Sequence, residues 1–195
     1  IIELDKIKYI VLHHEDPDFC GSVPLFEKMG INAQVVTSWR TMTLVQYYGI
    51  QLDYYLLEEH GHELILKSGR TLHFIPTPYL HFAGAFATYD IKSKVLFSSD
   101  LFGAFSFNRT MFADETYMEK MITFHEHYMP SNSVIRPVME VLSTYKIEMI
   151  LPQHGAIINK EIEKYIEALR TLECGTLLNP IKKDLLASCG YLRIF

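Results

Sequence analysis

Two rhythms of apolar and polar positions run along this chain, and the switches between them mark its elements. Tyr9-Ile10-Val11-Leu12 is a short continuous apolar run, the pattern of a buried strand over residues 8–12. Residues 20–29 space their apolar positions as a short helix stopped by Gly30, and residues 33–37 read as a second strand. Ser38 stands where it caps a helix that runs through Tyr48 and ends at Gly49. From there the period shortens: residues 63–67, 71–75, 85–89 and 94–97 read as strands, with Ser68-Gly69 and Asp90-Ile91-Lys92 as hairpin turns. Residues 101–112 form a loop in which Phe102, Phe105, Phe107 and Phe112 alternate with small residues. Helical spacing returns over 115–128 and 132–145, broken at Pro130-Ser131, and a last strand over 148–151 leads into Pro152-Gln153-His154-Gly155. The final helix carries Ile162, Tyr165, Ile166, Leu169 and Leu172 on one face, a stripe for a core or an interface.

This mixed order indicates an α/β layered domain rather than a regular βαβ series. At 195 residues and 49% hydrophobic content the chain fits one globular domain, 1–195, without internal repeats. A net charge of -5 without a dense Lys/Arg stripe points away from nucleic acid, and Lys182-Lys183 and Arg193 read as solvated tail charges. No apolar run approaches the ~20 residues that span a bilayer, so no membrane segment is expected. Ile1-Ile2-Glu3 begins neither a signal peptide nor a chain with its initiator Met, so the text is expected to be a segment of something longer. Cys20, Cys174 and Cys189 form no CxxC pair, which makes a reducing cytoplasm the expected setting. Cys20, followed by Gly21-Ser22, reads as a buried thiol at a helix start.

Chemistry enters at the strand exits. His14, Asp16 and Asp18 follow the first strand at two-residue spacing, a metal-ligand pattern. His81 lies past Phe74-Ile75 in a Pro-bearing loop, Asp100 follows Val95-Leu96-Phe97, and His154 follows Met149-Ile150-Leu151. Strand ends are where functional groups gather in an α/β sheet, and six ligating side chains there outweigh coincidence. With three carboxylates and three imidazoles the set is oxygen-rich, which suits iron or manganese better than tetrahedral zinc. Two divalent ions balance three carboxylates and a bridging hydroxide. His13 should point away from His14 across the strand and serve as a packing or supporting residue. His60, His62, His73, His125 and His127 read as structural or solvated.

The run His14-x-Asp16-x-Asp18-Phe19, with Leu80-His81, Ser98-Ser99-Asp100-Leu101-Phe102-Gly103 and Pro152-Gln153-His154-Gly155, resembles the diiron domain of flavodiiron proteins. The resemblance covers most of the chain and implies a metallo-β-lactamase-like αββα sandwich. It further implies that His14, Asp16 and His81 hold one iron, that Asp18 and His154 hold the other, and that Asp100 bridges them with an oxo or hydroxo group. The family pattern is His-x-Glu-x-Asp-His, so this chain departs at Asp16 and at Phe19. Family members also carry strands before the first motif, so part of that N-terminal block is expected to be absent from the text.

Phe19 cannot coordinate, and the expectation is an open position on the second iron where dioxygen binds, with aromatic rings around Phe82, Phe86 and Phe102 to Phe107 keeping the pocket dry. The residues beyond the His154 region hold no phosphate-cradling loop, so neither a flavodoxin domain nor a flavin is expected. Both features fit the stand-alone oxygen-binding diiron proteins of bacterial chemotaxis: an oxygen sensor with a signalling protein as partner. An oxygen or nitric oxide reductase fed by an external electron donor is the alternative, and a metal-dependent hydrolase is the third reading. The Ile162 to Leu172 stripe and the tail after Pro180 are expected to form a homodimer interface.

Overall fold

β1 (Tyr9–Val11), β2 (Gln34–Thr37) and β3 (Tyr54–Leu56) form a parallel three-stranded sheet in that order. The computed structural model describes residues 2–105 and 110–175, so Phe107, Pro180, Lys182-Lys183, Cys189 and Arg193 lie outside the described residues. Parallel neighbours need crossovers, here α1 (Pro17–Cys20) with α2 (Val23–Lys28), then α3 (Trp39–Val45). The second sheet has the order β4 (Glu63–Ile65), β5 (Thr71–Pro76), β6 (Phe86–Asp90), β7 (Val95–Ser99), β8 (Met149–Pro152). Its first four strands are antiparallel, and β8 returns parallel to β7 after α4 (Tyr117–Tyr128) and α5 (Asn132–Leu142).

Period-two alternation sorts the strand residues into layers. On β2, Val35 packs outward with Leu12, Cys20, Val23, Val45 and Ile50, whereas Val36 packs inward with Leu57, Leu64, Phe74 and Phe86. On β5 and β6, Phe74 and Phe86 fill the space between the sheets, while Ile75 and Ala87 face α4, α5 and α6 (Ile162–Thr171). The order is therefore helix, sheet, sheet, helix: the αββα sandwich. All five residues of β6 are buried, as befits a central strand covered on both faces.

Several boundaries differ from the sequence reading for local reasons. The helix expected over 20–29 is two helices, because Pro17 occupies the first helical position of α1 and starts it earlier. Ser38 does cap α3, accepting the Thr41 N–H at 3.2 Å, but the last turn before Gly49 tightens to a 3-10 turn over Gln46–Tyr48. Gly49 adopts φ 84°, which its missing side chain permits. β3 was not anticipated: three residues are too few to show a period, and only the β2 edge defines it. The α6 stripe is corrected as well. Tyr165, Ile166 and Leu169 are buried in the chain's own core against α4 and α5, so that face is not free for a second copy.

Leu142 is fully buried on α5 in that core. Leu142→Ala should lower the unfolding free energy of the metal-free protein by about 2–5 kcal/mol, the range for emptying a packed leucine site, as read from urea denaturation.

Candidate metal centre

Four backbone turns at the same end of the two sheets bring the polar residues together. After β1, Leu12 N–H still bonds Val36 C=O (3.0 Å), and the chain then leaves the sheet through His13 and His14. Asp16 precedes the first turn of α1: its carbonyl accepts the Phe19 and Cys20 N–H groups at 3.1 and 3.0 Å, which turns Asp16 and Asp18 toward the strand ends. His81 comes from the loop after β5, Asp100 from the turn after β7, and His154 from the residue pair after β8. Backbone strain marks these turns. Tyr79, Ser99 and Phe102, all with side chains, adopt φ of 63°, 58° and 65° within two residues of His81 or Asp100.

Asp100 is the hub, with its side chain only 3% exposed. Its Oδ2 lies 2.7 Å from His81 Nε2 and 3.4 Å from His14 Nε2. Asp16 Oδ2 lies 3.5 Å from the same His81 nitrogen and 3.6 Å from the same His14 nitrogen. The other oxygen, Oδ1, faces His154 Nε2 at 3.5 Å, and His154 Nε2 meets Asp18 Oδ2 at 2.9 Å. The carboxylate thus divides its two oxygens between two donor sets. The ligand atoms of His14, Asp16, His81 and Asp100 all fall within 4.8 Å of one another. The Asp18–His154 pair is the more open, with side chains 40% and 44% exposed.

Hydrogen bonds orient the donors. His14 Nδ1 meets Ser99 Oγ at 2.8 Å, leaving Nε2 aimed at the carboxylates. Among the described residues, His14 Nε2 and Asp100 Oδ1 are buried without a hydrogen-bond partner. Buried polar atoms are rarely left so; they belong to different donor sets, and a cation in each set would satisfy them. Burial alone drives the Asp100 carboxyl up, but the His81 hydrogen bond and the charges of His14, His81 and His154 outweigh it and hold it below the usual carboxylate range. Burial pushes His14 down, toward the neutral imidazole that a metal needs. For His81 burial also acts downward, yet the Asp100 hydrogen bond and the carboxylates around it prevail and raise it. A positive charge is favoured between these carboxylates, whether it is a proton or a metal ion.

His14 is buried behind the other five polar residues, Asp16, Asp18, His81, Asp100 and His154, which line a cavity of about 1050 Å³. Its apolar side is Phe105, Phe124, Tyr128 and Met111. Two aromatic assignments change here. Phe86 and Phe102 are core residues, 1% and 0% exposed, so neither lines the cavity. Phe124 and Tyr128 do, stacked 4.7 Å apart, although nothing in the helical pattern over 115–128 singles them out. Phe82 stacks flat on His14 at 5.3 Å. Phe19 packs on the His14 ring (4.5 Å) and borders a neighbouring space of about 430 Å³ shared with His13. His13 is buried, bonded to Thr88 Oγ1 at 2.9 Å, and burial pushes its pKa down to about 3. Ser99, the partner of His14, was missed by sequence reading, since a serine in a strand end carries no signal of its own.

The remaining histidines sit apart. His60 stacks on Tyr55 (3.8 Å), and His73 pairs with Glu63 (2.8 Å). His125 is buried beneath the site: Nδ1 donates to Met121 C=O (2.8 Å) and Nε2 accepts the Phe102 N–H (3.1 Å). That pattern requires a neutral ring. Cys20 is buried, with burial pushing its thiol up to about 12, which leaves it unreactive. Among the described residues no helix is long and apolar enough to cross a membrane.

Residues 1–155 match the family model of the ODP family beta lactamases. A solved structure of a peroxy diiron species of the chemotaxis sensor ODP superposes with TM-score 0.80 at 30% identity, over 93% of this chain and 77% of that one. The apo state of the chemotaxis sensor ODP from T. denticola gives TM-score 0.76 at 32% identity, over 90% of this chain and 73% of that one. The type A flavoprotein fprA of Rhodobacter capsulatus is 25% identical over 184 residues, 88% of this chain and 41% of the flavoprotein. The chain spans less than half the length of the curated relatives it matches.

Burial lowers the His125 pKa from 6.5 to about 4. Its folded value is depressed, so the stability it confers is complete above pH 6.5 and is lost as pH falls toward 4. Across that window the stability gap between the metal-free wild type and His125→Gln should narrow by about 3 kcal/mol, measured by urea denaturation at successive pH values.

Proposed function

This chain belongs to the ODP family of beta-lactamase domains, and on that premise we propose that it is a non-haem diiron protein that binds dioxygen and reports it as a sensor. The observation that carries the reading is the split Asp100 carboxylate, one oxygen facing His14, Asp16 and His81 and the other facing His154 and Asp18. In this reading His14, Asp16 and His81 hold one iron, Asp18 and His154 hold the other, and Asp100 bridges them. A reduced iron pair supplies the electrons and open coordination positions that capture of dioxygen requires.

The chain's own residues do the rest. Ser99 holds the His14 ring with Nε2 inward. The Asp100 carboxylate, kept ionised by its histidine neighbours, offers a fixed negative charge to both halves. Phe105, Phe124 and Tyr128 line one wall of the cavity with apolar rings and limit the water beside the ligands. The second donor set, Asp18 and His154, is the more exposed and has fewer protein atoms than the first, which leaves it more room for a small ligand; Phe19, packed on the His14 ring, brings it no nitrogen. Similarity to a chemotaxis sensor supports signalling as the output, with a signalling protein as partner and a cytoplasmic setting. Leu25, Met29, Leu44 and Tyr47, exposed on and beside α2 and α3, offer the apolar surface that such a partner or a second copy would bury. Likeness to flavoproteins favours a second reading, an oxygen or nitric oxide reductase served by an external electron donor.

Purified anaerobically and reconstituted, the protein should hold two irons per chain by metal analysis, with paired-site Mössbauer parameters. His154→Ala should retain one, and zinc with hydrolytic activity instead would sink the assignment. Stopped-flow mixing of the reduced protein with oxygen should give a long-lived optical change and about one oxygen consumed per site. Sustained consumption with an added reductant would favour the reductase. Phe19→His, which restores a nitrogen donor, should shorten the lifetime of the optical change.

A further inference from the structure

His154 is the donor with the least support of its own. Its side chain is 44% exposed; among the described residues its polar partners are the carboxylates of Asp18 and Asp100, and the Phe124 ring lies 6.2 Å from its own. Among the described residues no hydrogen bond orients its second ring nitrogen, in contrast to the Ser99 bond on His14. Its position therefore comes from its backbone, and that backbone is tied down at four points. Gln153 N–H donates to Ser99 C=O at 2.8 Å, His154 C=O accepts the Ala104 N–H at 3.1 Å, and Gly155 turns the chain at φ 109°. The fourth tie is a side chain: Ala156 N–H donates to the Tyr117 hydroxyl at 3.3 Å.

Tyr117 sits in the first turn of α4 and is 3% exposed. Its hydroxyl donates to Phe102 C=O at 2.9 Å while accepting from Ala156, so one oxygen spans the turn after Asp100 and the turn after His154. Gly155 shows how close the approach is: a Cβ there would collide with the Tyr117 hydroxyl and stand 3.1 Å from Ala104 N. Further along the same helix, His125 holds the other side of the Phe102 residue through its N–H. Helix α4 thus grips the left-handed Phe102 at both its N–H and its C=O, and among the described residues Tyr117 extends that grip by a hydrogen bond to the His154 turn.

We propose that Tyr117 is a positioning residue whose buried hydroxyl sets His154 at its distance from Asp100 across the metal centre. The proposal rests on the diiron reading for its consequence at the metal, though not for the contact itself. His14 and His81 hang from other anchors, Ser99 and the loop around Gly84, whose carbonyl accepts Ser38 Oγ at 2.8 Å. Loss of the Tyr117 hydroxyl therefore frees the His154 turn and the turn after Asp100 while the His14 and His81 anchors stay in place, so the Asp18–His154 side loses most. A purely packing role for the ring would act on neither side, because phenylalanine fills the same space.

Tyr117→Phe in the full chain tests this by two readouts. Anaerobic ferrous titration should show one iron bound as in the wild type and the other weakened by about tenfold, the effect typical of losing a ligand-orienting partner. Hydrogen exchange of the metal-free protein should quicken at residues 101–104 and 153–156 and stay unchanged at 13–18 and 77–85. Equal weakening of both irons, unchanged exchange in both turns, or acceleration spread over the whole chain would overturn the proposal. If the wild type itself takes up no iron, the diiron reading fails, and the exchange measurement still decides the role of Tyr117.

Discussion

Everything at the centre depends on one buried carboxylate. Asp100 is held below the usual carboxylate range although burial opposes it, and a charge in that position is tolerable only while cationic or donor partners surround it. Three histidines from three separate loops supply those partners. Because the two oxygens look in different directions, the same group that requires compensation also divides the site into two halves.

The requirement reaches into both sheets. His14 belongs to the end of the parallel sheet, while Asp100 and His154 belong to the ends of β7 and β8 in the other. The sheets are joined at this edge by polar contacts: Ser99 with His14, Thr88 with His13, and the Phe86 N–H on the His13 carbonyl at 3.2 Å. Between them lies the apolar seam of Val36, Leu57, Leu64, Phe74 and Phe86. The seam sets the separation of the sheets, and the polar contacts convert that separation into ligand distances. The left-handed residues Ser99 and Phe102 absorb the sharp turn that Asp100 needs between them, at a cost of about 1–3 kcal/mol each that the surrounding packing offsets.

Long, strongly patterned elements were legible in the sequence. The stripe of α6, the alternation of β5 and β6, and the Ser38 cap each depend on neighbours close in the chain, and each formed near its expected bounds. Short elements were not: β3 has three residues and exists because β2 offers it an edge. The α6 face shows the same limit differently. Its periodicity announced an apolar surface but carried no information about what would cover it, and α4 and α5 do.

For the site, the residue types and their place after strands were written in the chain, because a carboxylate or imidazole at a strand exit has few other uses in such numbers. The family kinship was written there too, in the motif from His14 to Phe19 and the runs around Asp100 and His154. Only the folded structure decided how the oxygens of Asp100 are shared, that Phe124 and Tyr128 rather than Phe86 and Phe102 form the cavity wall, and that Tyr117 ties two ligand turns together. The reason is physical: a ligand's chemistry belongs to its own side chain. Its direction is set by partners such as Ser99, lying 85 positions from His14, and no local pattern records them.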